Sequence, residues 1–479
     1  MSTTVNAGAR LDRLPISSFH HRVFWLIGAG MFFDGYDLYV GTTVLGATLQ
    51  SGFSTRVLNA QFISMTFIGM TLGSLISGFL GDRFGRRFTY QFNLLIFGLS
   101  SFAAALAPSM EILNWVRFVI GLGLGAEIVV GYSTLTEFVP PRVRGRWLAF
   151  MAFIVVSGLP VTVLLGTLII PSVTVWASAL AKDNSGFIAT LLPGLGWRLL
   201  FVLAGVGALV VWRLRKALPE SPRWLESQGR AAEAEALVAS IEREAAAGGP
   251  LPLPAPAAPL PSFRLASLLS PILLPRMVVG CVVLISINTL IFGFVVWLPQ
   301  FFIQQGLSLA RSFEFTLIMS LGSLVGCAIG ALCSDRFGRR SCIIVASVLT
   351  IVLGAIYPFV STPALLLTVG VLLIIAIYVQ VAILFGVYTP ELFPTEVRLR
   401  ANGICNTFGR AATVVSPYAV AALLTAYGVA GVLSLMIAVL IIQILVVAAW
   451  GIEPAKRRLE DMEPTAASEP GASPHPAQA

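Results

Sequence analysis

The sequence predicts an all-α membrane protein with twelve transmembrane helices in two pseudo-symmetric six-helix bundles. Of the 479 residues, 57% are hydrophobic and only 11% are charged, whereas soluble chains carry about 25% charged residues. Twelve apolar runs have roughly the length of a membrane-crossing helix, with six on either side of a long polar break. Two different motifs of the first half recur in the second half at almost the same distance, which indicates a duplicated six-helix unit.

The apolar runs define the expected helices and, with the polar segments, the expected domains. The runs cover residues 23–49, 57–81, 88–107, 112–136, 147–170, 197–212, 277–303, 313–334, 341–360, 364–389, 401–425 and 429–450. We divide the chain into an N-terminal segment (1–22), a first bundle (23–212), a central loop (213–276), a second bundle (277–450) and a tail (451–479). The central loop is expected to hold short helices and a Pro/Ala-rich linker. We expect the Pro/Ala/Ser-rich tail to be disordered.

The basic residues indicate how the chain is oriented in the bilayer. Lys and Arg are concentrated in the segments on the side of the N-terminus, and the opposite side holds only Arg56, Lys182, Arg198 and Arg311. Cytoplasmic loops carry the excess of Lys and Arg. We therefore expect a multi-pass protein of the plasma membrane, a bacterial inner membrane by preference, with both termini cytoplasmic. The net charge of +8 reflects this topology, so we expect no nucleic-acid partner.

Both repeated motifs lie at the predicted cytoplasmic ends of helices. The stretch 81–87 (GDRFGRR) recurs as 334–340 (SDRFGRR), and 137–146 recurs as 391–400 with the shared pattern E-x-x-P-x-x-V-R-x-R. We interpret them as gates that hold the inner side shut while the outer side is open; the alternative is that their arginines only set topology. The candidate gating residues are Asp82, Arg83, Arg86, Arg87, Glu137, Arg146, Asp335, Arg336, Arg339, Glu391 and Arg400.

Five charged residues inside the apolar runs are the main functional candidates, because charges at membrane depth are costly and rare. They are Asp34, Asp37, Arg117, Glu127 and Arg410. The glycine-rich run 121–125 next to Glu127 follows no predicted strand, so it indicates close helix contact and not a nucleotide-binding loop.

Asp37 and Arg117 are predicted to lie at depths that allow them to meet. An arginine that approaches and withdraws would make the carboxyl group release and bind a proton, although a static ion pair is the alternative. Asp34 and Glu127 are further candidates for proton coupling. For Glu127, a substrate contact or a protonated structural role stays open.

Arg410 and several uncharged polar residues are candidates for binding the substrate. Arg410 has no acidic neighbour in sequence, so it either binds an anionic substrate or pairs with Glu127 or an acid of the first run. Asn288 occupies the position in the second half that corresponds to Asp34. The remaining candidates of this kind are Tyr36, Tyr378, Gln380 and Asn406.

The motifs resemble those of the major facilitator superfamily. The loop signature G-x-L-x-D-R-x-G-R-R occupies 78–87, and the segments 219–223 (PESPR) and 390–394 (PELFP) are similar to inner-face signatures of the sugar-porter branch. The stretch 34–37 (DGYD) resembles the aromatic-acid:proton symporters, and 125–127 (GAE) resembles bacterial metabolite:proton symporters. The segment 284–289 lacks the paired glutamines usual in sugar porters, which argues against hexose transport.

The resemblance implies a secondary active transporter that works by alternating access, with a small-molecule substrate, protons and the lipid bilayer as its partners. By this resemblance Asp37 is the proton acceptor, Arg117 regulates it, and Arg410 binds the substrate anion. We expect proton-coupled symport of a small organic anion, a carboxylate or aromatic acid. A sugar or polyol:proton symporter and a proton-coupled exporter of drugs or metabolites are the alternatives. We expect a monomer with no enzymatic activity, cofactor or metal site.

Overall fold

The computed structural model describes residues 5–181, 194–246, 249–253, 270–360, 362–393 and 398–453. The first half begins with a short surface helix, α1, and continues with six long helices. These are α1 (Ala7–Asp12), α2 (Ser18–Gln50), α3 (Arg56–Phe84), α4 (Arg86–Ala105), α5 (Met110–Phe138), α6 (Pro141–Ala181) and α7 (Leu195–Leu214). A 3-10 turn, Arg215–Ala217, extends α7 beyond the predicted end at residue 212.

The second half repeats this order with more interruptions. Its helices are α10 (Leu273–Gly293), α11 (Leu298–Gln304), α12 (Leu309–Phe337), α13 (Arg339–Ile356), α14 (Pro363–Ile383), α15 (Thr389–Glu391) and α16 (Arg398–Trp450). The 3-10 turn Val295–Trp297 joins α10 to α11, and the π-helical turn Leu384–Tyr388 joins α14 to α15. Gly428, at φ 64° and ψ −156°, breaks α16 into two membrane-crossing arms.

The central segment contributes two short helices on the side of the N-terminus, α8 (Pro222–Ser227) and α9 (Ala231–Ala246). They hold the N-terminal segment through ion pairs. Arg10 Nη2 lies 2.7 Å from Glu242 Oε2, and Arg13 Nη2 lies 2.5 Å from Glu242 Oε1. These hydrogen bonds, that of Arg10 first, hold the pKa of the Glu242 carboxyl below its usual range. The predicted Pro/Ala-rich linker covers residues 250–259, of which the structure describes 250–253; most of the predicted tail lies outside the described residues.

Helix length and composition agree with twelve membrane crossings. Nine helical stretches of the described chain are long and apolar enough to span a membrane. The last of them, Ala401–Trp450, contains both arms of α16. The less apolar α2, with its two aspartates, and α4 complete the twelve.

Large apolar side chains cover the outside of the bundles, as a lipid-facing surface requires. Leu332 is 76% exposed, Val175 75% and Val345 66%. In a soluble protein such a surface would be a liability. Trp25, Trp115 and Trp450 are also exposed and lie towards the ends of their helices, where tryptophan prefers the membrane–water interface.

The packing of the helices repeats between the two halves, which confirms the predicted pseudo-symmetry. In the first half α3 packs along α5 and α2 along α6; in the second, α12 packs along α14 and α10 along α16. The halves meet where α6 contacts α12 and where α16 contacts α3, and these two contacts correspond to each other under the repeat.

Glycines bring α3 and α5 into direct backbone contact. A Cβ atom on Gly121 would lie 2.2 Å from the backbone oxygen of Thr66, and one on Gly125 would lie 2.0 Å from that of Met70. From the other helix, a Cβ on Gly69 would lie 2.1 Å from the backbone oxygen of Phe118. The prediction of close helix contact at 121–125 is therefore confirmed, and it fixes the depth of Arg117 against α3.

Replacing Gly121 with alanine should destabilise the first bundle, because the added Cβ must push α3 away from α5. Overpacking of this kind costs about 1–3 kcal/mol. We expect a lower thermal unfolding midpoint for Gly121→Ala in detergent or nanodiscs. Gly145→Ala is the matched control, since a Cβ there meets nothing within 4 Å. Equal midpoints for the two variants would contradict the packing argument.

Candidate functional site

The ion pair expected between α2 and α5 is present at the centre of the first bundle. Arg117 Nη1 donates to Asp37 Oδ2 over 2.6 Å, and both side chains are almost completely buried. Arg117 Nε donates to Thr66 Oγ1 on α3 over 3.0 Å, and the guanidinium lies 4.6 Å from the centre of the Phe62 ring. Asp37 Oδ1 is buried without a hydrogen-bond partner among the described residues. The pair is therefore buried and only partly satisfied within the described residues, which suits a group that exchanges a proton.

A second buried ion pair lies nearer the N-terminal side of the same bundle, and sequence reasoning missed it. Arg215 Nη1 donates to Glu127 Oε1 in a very short contact, and Nε and Nη2 donate to the backbone oxygens of Leu26 and Ile27 over 2.8 and 2.7 Å. Arg215 was assigned to the central loop because it follows Arg213 in a polar stretch. The unbroken apolar run before it was the one available signal that the helix continues.

Asp34 is buried on α2, and neither of its carboxyl oxygens has a hydrogen-bond partner among the described residues. It is 2% exposed and interacts electrostatically with Glu127, Arg215 and Asp37. Its predicted role in proton coupling stays a prediction.

Arg410 lies at the interface between the halves. Its Nη1 donates to the backbone oxygen of Met70 on α3 over 3.1 Å, and it forms no ion pair with an acid among the described residues. The alternative that Arg410 pairs with Glu127 or with an acid of the first run is wrong for this structure, because Glu127 pairs with Arg215 and Asp37 with Arg117. Arg410 is partly exposed, and its role in binding a substrate anion stays a prediction.

The uncharged candidates fall into two groups. Asn288 lies against Gly409, directly before Arg410: its side-chain nitrogen would lie 2.9 Å from a Cβ on that glycine. The Tyr378 hydroxyl is 3.1 Å from that of Tyr39, which joins the halves. The other three, like Asn288, which donates to the backbone oxygen of Leu284 over 2.7 Å, are bonded within one half. Tyr36 donates to the backbone oxygen of Leu200, Gln380 bonds to Ser347, Thr350 and Gln443, and Asn406 donates to Asn402.

Further hydrogen bonds between the halves occur towards the side opposite the N-terminus. Ser64 on α3 donates to the backbone oxygen of Val414 over 2.6 Å, and Asn59 donates to Gln300 over 3.4 Å. The Phe67 and Phe292 rings meet at 4.5 Å. These contacts, with Tyr39–Tyr378, hold the two halves together on that side.

The two repeated loop motifs form the same structure in each half. Arg86 bonds to Glu137 over 3.1 Å and Arg339 to Glu391 over 3.1 Å, each within its own half. Two residues that sequence reasoning missed complete the motif. Glu220 accepts from the backbone nitrogen of Arg86, and Glu453 accepts from that of Arg339, both over 2.8 Å.

The remaining gating candidates lie at the surface or outside the described part of the chain. Arg87 Nη2 donates to the backbone oxygen of Lys216. Arg83 and Arg336 contact the neighbouring rings of Phe84 and Phe337, and Arg146 is exposed. The side chains of Asp82, Asp335 and Arg400 are not among those that the structure describes. The role of these residues in gating stays a prediction.

Two six-helix halves around buried charges define the class of protein: a membrane transporter of the major facilitator type, and not an enzyme. The chain belongs to the family described as "Sugar (and other) transporter", which matches residues 29–466. The predicted superfamily and fold are therefore confirmed.

Several named transporters are similar to the chain over almost its whole length. The inner membrane metabolite transport protein YdjE of Escherichia coli is 36% identical, over 95% of this chain and 98% of that protein. The niacin transporter NiaP of Acinetobacter baylyi is 30% identical, over 88% and 90%. The inward open xylose transporter XylE of E. coli has a similar fold, with a TM-score of 0.66 at 18% identity, over 92% of this chain and 99% of that one.

Replacing the motif glycines should loosen the loops that they cap. Gly85 and Gly338 have φ of 93° and 90° with extended ψ, a region nearly restricted to glycine, where other residues cost about 1–3 kcal/mol. A Cβ on Gly85 would also lie 2.3 Å from Glu220 Oε2. We expect Gly85→Ala and Gly338→Ala to lower the thermal midpoint and to speed amide exchange at the start of α4 and α13. Gly403→Ala, with open space around it, should do neither.

Proposed function

We propose that this transporter carries a small organic anion, a carboxylate or aromatic acid, into the cell together with protons. The observation that carries the proposal is Arg410, a partly exposed guanidinium at the interface of the halves without an acidic partner among the described residues. A planar guanidinium matches a carboxylate group in shape and charge. Asn288 and the hydroxyl pair of Tyr39 and Tyr378 would supply orienting polar groups in an otherwise apolar cavity.

The relatives support an anionic substrate of this kind. One is named as a niacin transporter, and niacin is a pyridine carboxylic acid. The sugar or polyol reading remains the second candidate, because another relative, 26% identical, is named as an arabinose-proton symporter. A proton-coupled exporter would use the same residues with the opposite direction of flux.

Asp37 and Arg117 would couple the proton gradient to transport. In the form described here Arg117 neutralises Asp37, so Asp37 needs no proton. When the halves rearrange and Arg117 moves away, the buried carboxylate loses its counter-ion and binds a proton from the outer side. The return of Arg117 would release that proton towards the inner side. The repeated loop motifs would hold the inner ends of the two bundles together while the outer side is open.

We also propose the domain bounds, the membrane orientation and the oligomeric state that the sequence predicts. The bundles span 23–212 and 277–450, both termini face the cytoplasm, and the chain works as a monomer. Arg215 extends the first bundle by one turn beyond that boundary.

Replacing Arg410 with alanine should selectively weaken an anionic ligand. Loss of a hydrogen bond to a charged group costs about 1.5–3 kcal/mol, which is roughly 10- to 150-fold in affinity. We expect this loss for nicotinate and a much smaller one for the neutral analogue nicotinamide, measured by direct binding to the purified protein. Arg410→Lys should recover part of the affinity.

Equal losses for nicotinate and nicotinamide would favour a structural role for Arg410. Saturable binding of a pentose, with none of nicotinate or other monocarboxylates, would move the assignment to sugar or polyol symport.

Replacing Asp37 with asparagine should separate transport from its driving force. Asparagine cannot exchange a proton, so we expect accumulation against a gradient to be lost while counterflow exchange in proteoliposomes continues. Glu111→Gln is the matched control, because Glu111 is an exposed acid at the start of α5. Undiminished uphill uptake by Asp37→Asn would remove Asp37 from the coupling mechanism.

A further inference from the structure

A second group of buried charges surrounds Gly30 in the first bundle. Arg215 extends from the inner end of α7 and reaches Glu127 on α5. A Cβ on Gly30 would lie 2.0 Å from Arg215 Nη2 and 2.6 Å from Glu127 Oε1. The glycine therefore makes the space in which this ion pair lies. The Arg215 guanidinium also lies 4.6 Å from the centre of the Tyr90 ring on α4.

Asp34 lies one helical turn beyond Gly30, on the same face of α2. It is 2% exposed, and both of its oxygens lack a hydrogen-bond partner. Glu127 Oε2 and the Tyr90 hydroxyl are also buried without a partner among the described residues. Asp34 is therefore buried one helical turn from the contact of Gly30 with the Glu127–Arg215 pair, and it interacts electrostatically with both residues.

The charges of this group do not balance when both acids are ionised. Arg117 is already bound to Asp37, so Arg215 is the one cation available to Asp34 and Glu127 among the groups that interact with Asp34. An uncompensated carboxylate inside a low-dielectric bundle is strongly disfavoured, and such a group takes up a proton instead. Arg215 can neutralise one acid, and a proton must neutralise the other.

We propose that Asp34, Glu127 and Arg215 form a second proton-binding site, separate from the pair Asp37–Arg117, that holds one proton in the form described here. Arg215 is the positioning residue of this site, and the proton resides on the carboxyl oxygen that Arg215 does not bind, which the geometry assigns to Asp34. Only the use of this site in transport rests on the proposed function; the binding of a proton at the site does not. Its chemistry is proton binding alone.

The position of Arg215 links this site to the first repeated loop motif. The next residue, Lys216, accepts from Arg87 through its backbone oxygen, and Glu220 accepts from the backbone of the same loop motif. A movement of that loop therefore displaces the inner end of α7 and with it Arg215. Withdrawal of the guanidinium leaves the Glu127 carboxylate without a cation, and the site binds a second proton there; the return of Arg215 expels that proton to water.

Infrared spectroscopy of the purified protein at neutral pH tests the proposal without a substrate. We expect the wild type to show the C=O stretch of a buried protonated carboxyl group, which Asp34→Asn removes. Arg215→Gln should raise the band to about twice its intensity, because both acids must then be protonated. Arg215→Lys keeps the charge and should leave the wild-type intensity, which also controls for misfolding. Glu111→Gln, at an exposed acid, should change nothing.

An unchanged band in Asp34→Asn, or the same intensity in Arg215→Gln as in the wild type, would overturn the proposal. These results are independent of the transport assays, because Asp37→Asn tests the proposed coupling pair and nicotinate binding tests the proposed substrate. If nicotinate does not bind, the infrared spectra still test the proton site. If the infrared bands contradict the proton site, the proposed substrate is not affected.

Discussion

A carboxylate enclosed by helices and lipid must be balanced by a cation or a proton, and the first bundle is built around this requirement. Arg117 bonds to Asp37 on α2 and Thr66 on α3, and its guanidinium lies over the Phe62 ring, 6.0 Å from that of Phe201 on α7. Helices α2, α3, α5 and α7 therefore converge on one side chain. Removing either charge of such a pair leaves the other buried and unpaired, at a cost of about 3–5 kcal/mol.

The two halves have the same helix packing but differ in the charged residues at corresponding positions. The position that corresponds to Asp34 holds Asn288, and the position that corresponds to Glu127 holds Gln380. Both amide atoms of Gln380 bond to uncharged partners, among them Thr350 over 3.1 Å and Gln443 over 2.8 Å. The second half thus keeps the polar positions of the repeat in neutral form, and its own interface charge is Arg410. In the proposed mechanism, proton binding belongs to the first half and recognition of the substrate charge to the second.

Sequence patterns predicted the features that depend on neighbours along the chain or on the repeat. The twelve crossings, the glycine contact at 121–125 and the meeting of Asp37 with Arg117 follow from hydropathy, small residues and helix depth. The pairing of Glu127 with Arg215 does not, because Arg215 lies among basic residues that are typical of a cytoplasmic loop, and the sequence analysis places it in the central loop. The burial of Arg198 was likewise not predicted: the residue is 3% exposed and donates to the backbone oxygens of Ala105 and Ala107.

Helix α3 connects the candidate substrate site to the coupling pair. Arg410 donates to the backbone oxygen of Met70, one turn along α3 from Thr66, which accepts from Arg117. Direct backbone contact at Gly69 and Gly121 prevents α3 from sliding independently of α5, which carries Arg117. A substrate anion that draws Arg410 away from Met70 would therefore release the second half from the same helix that holds the Asp37–Arg117 pair. In the proposed cycle, the energetic link between anion and proton is this helix, and no direct contact between the two ligands is required.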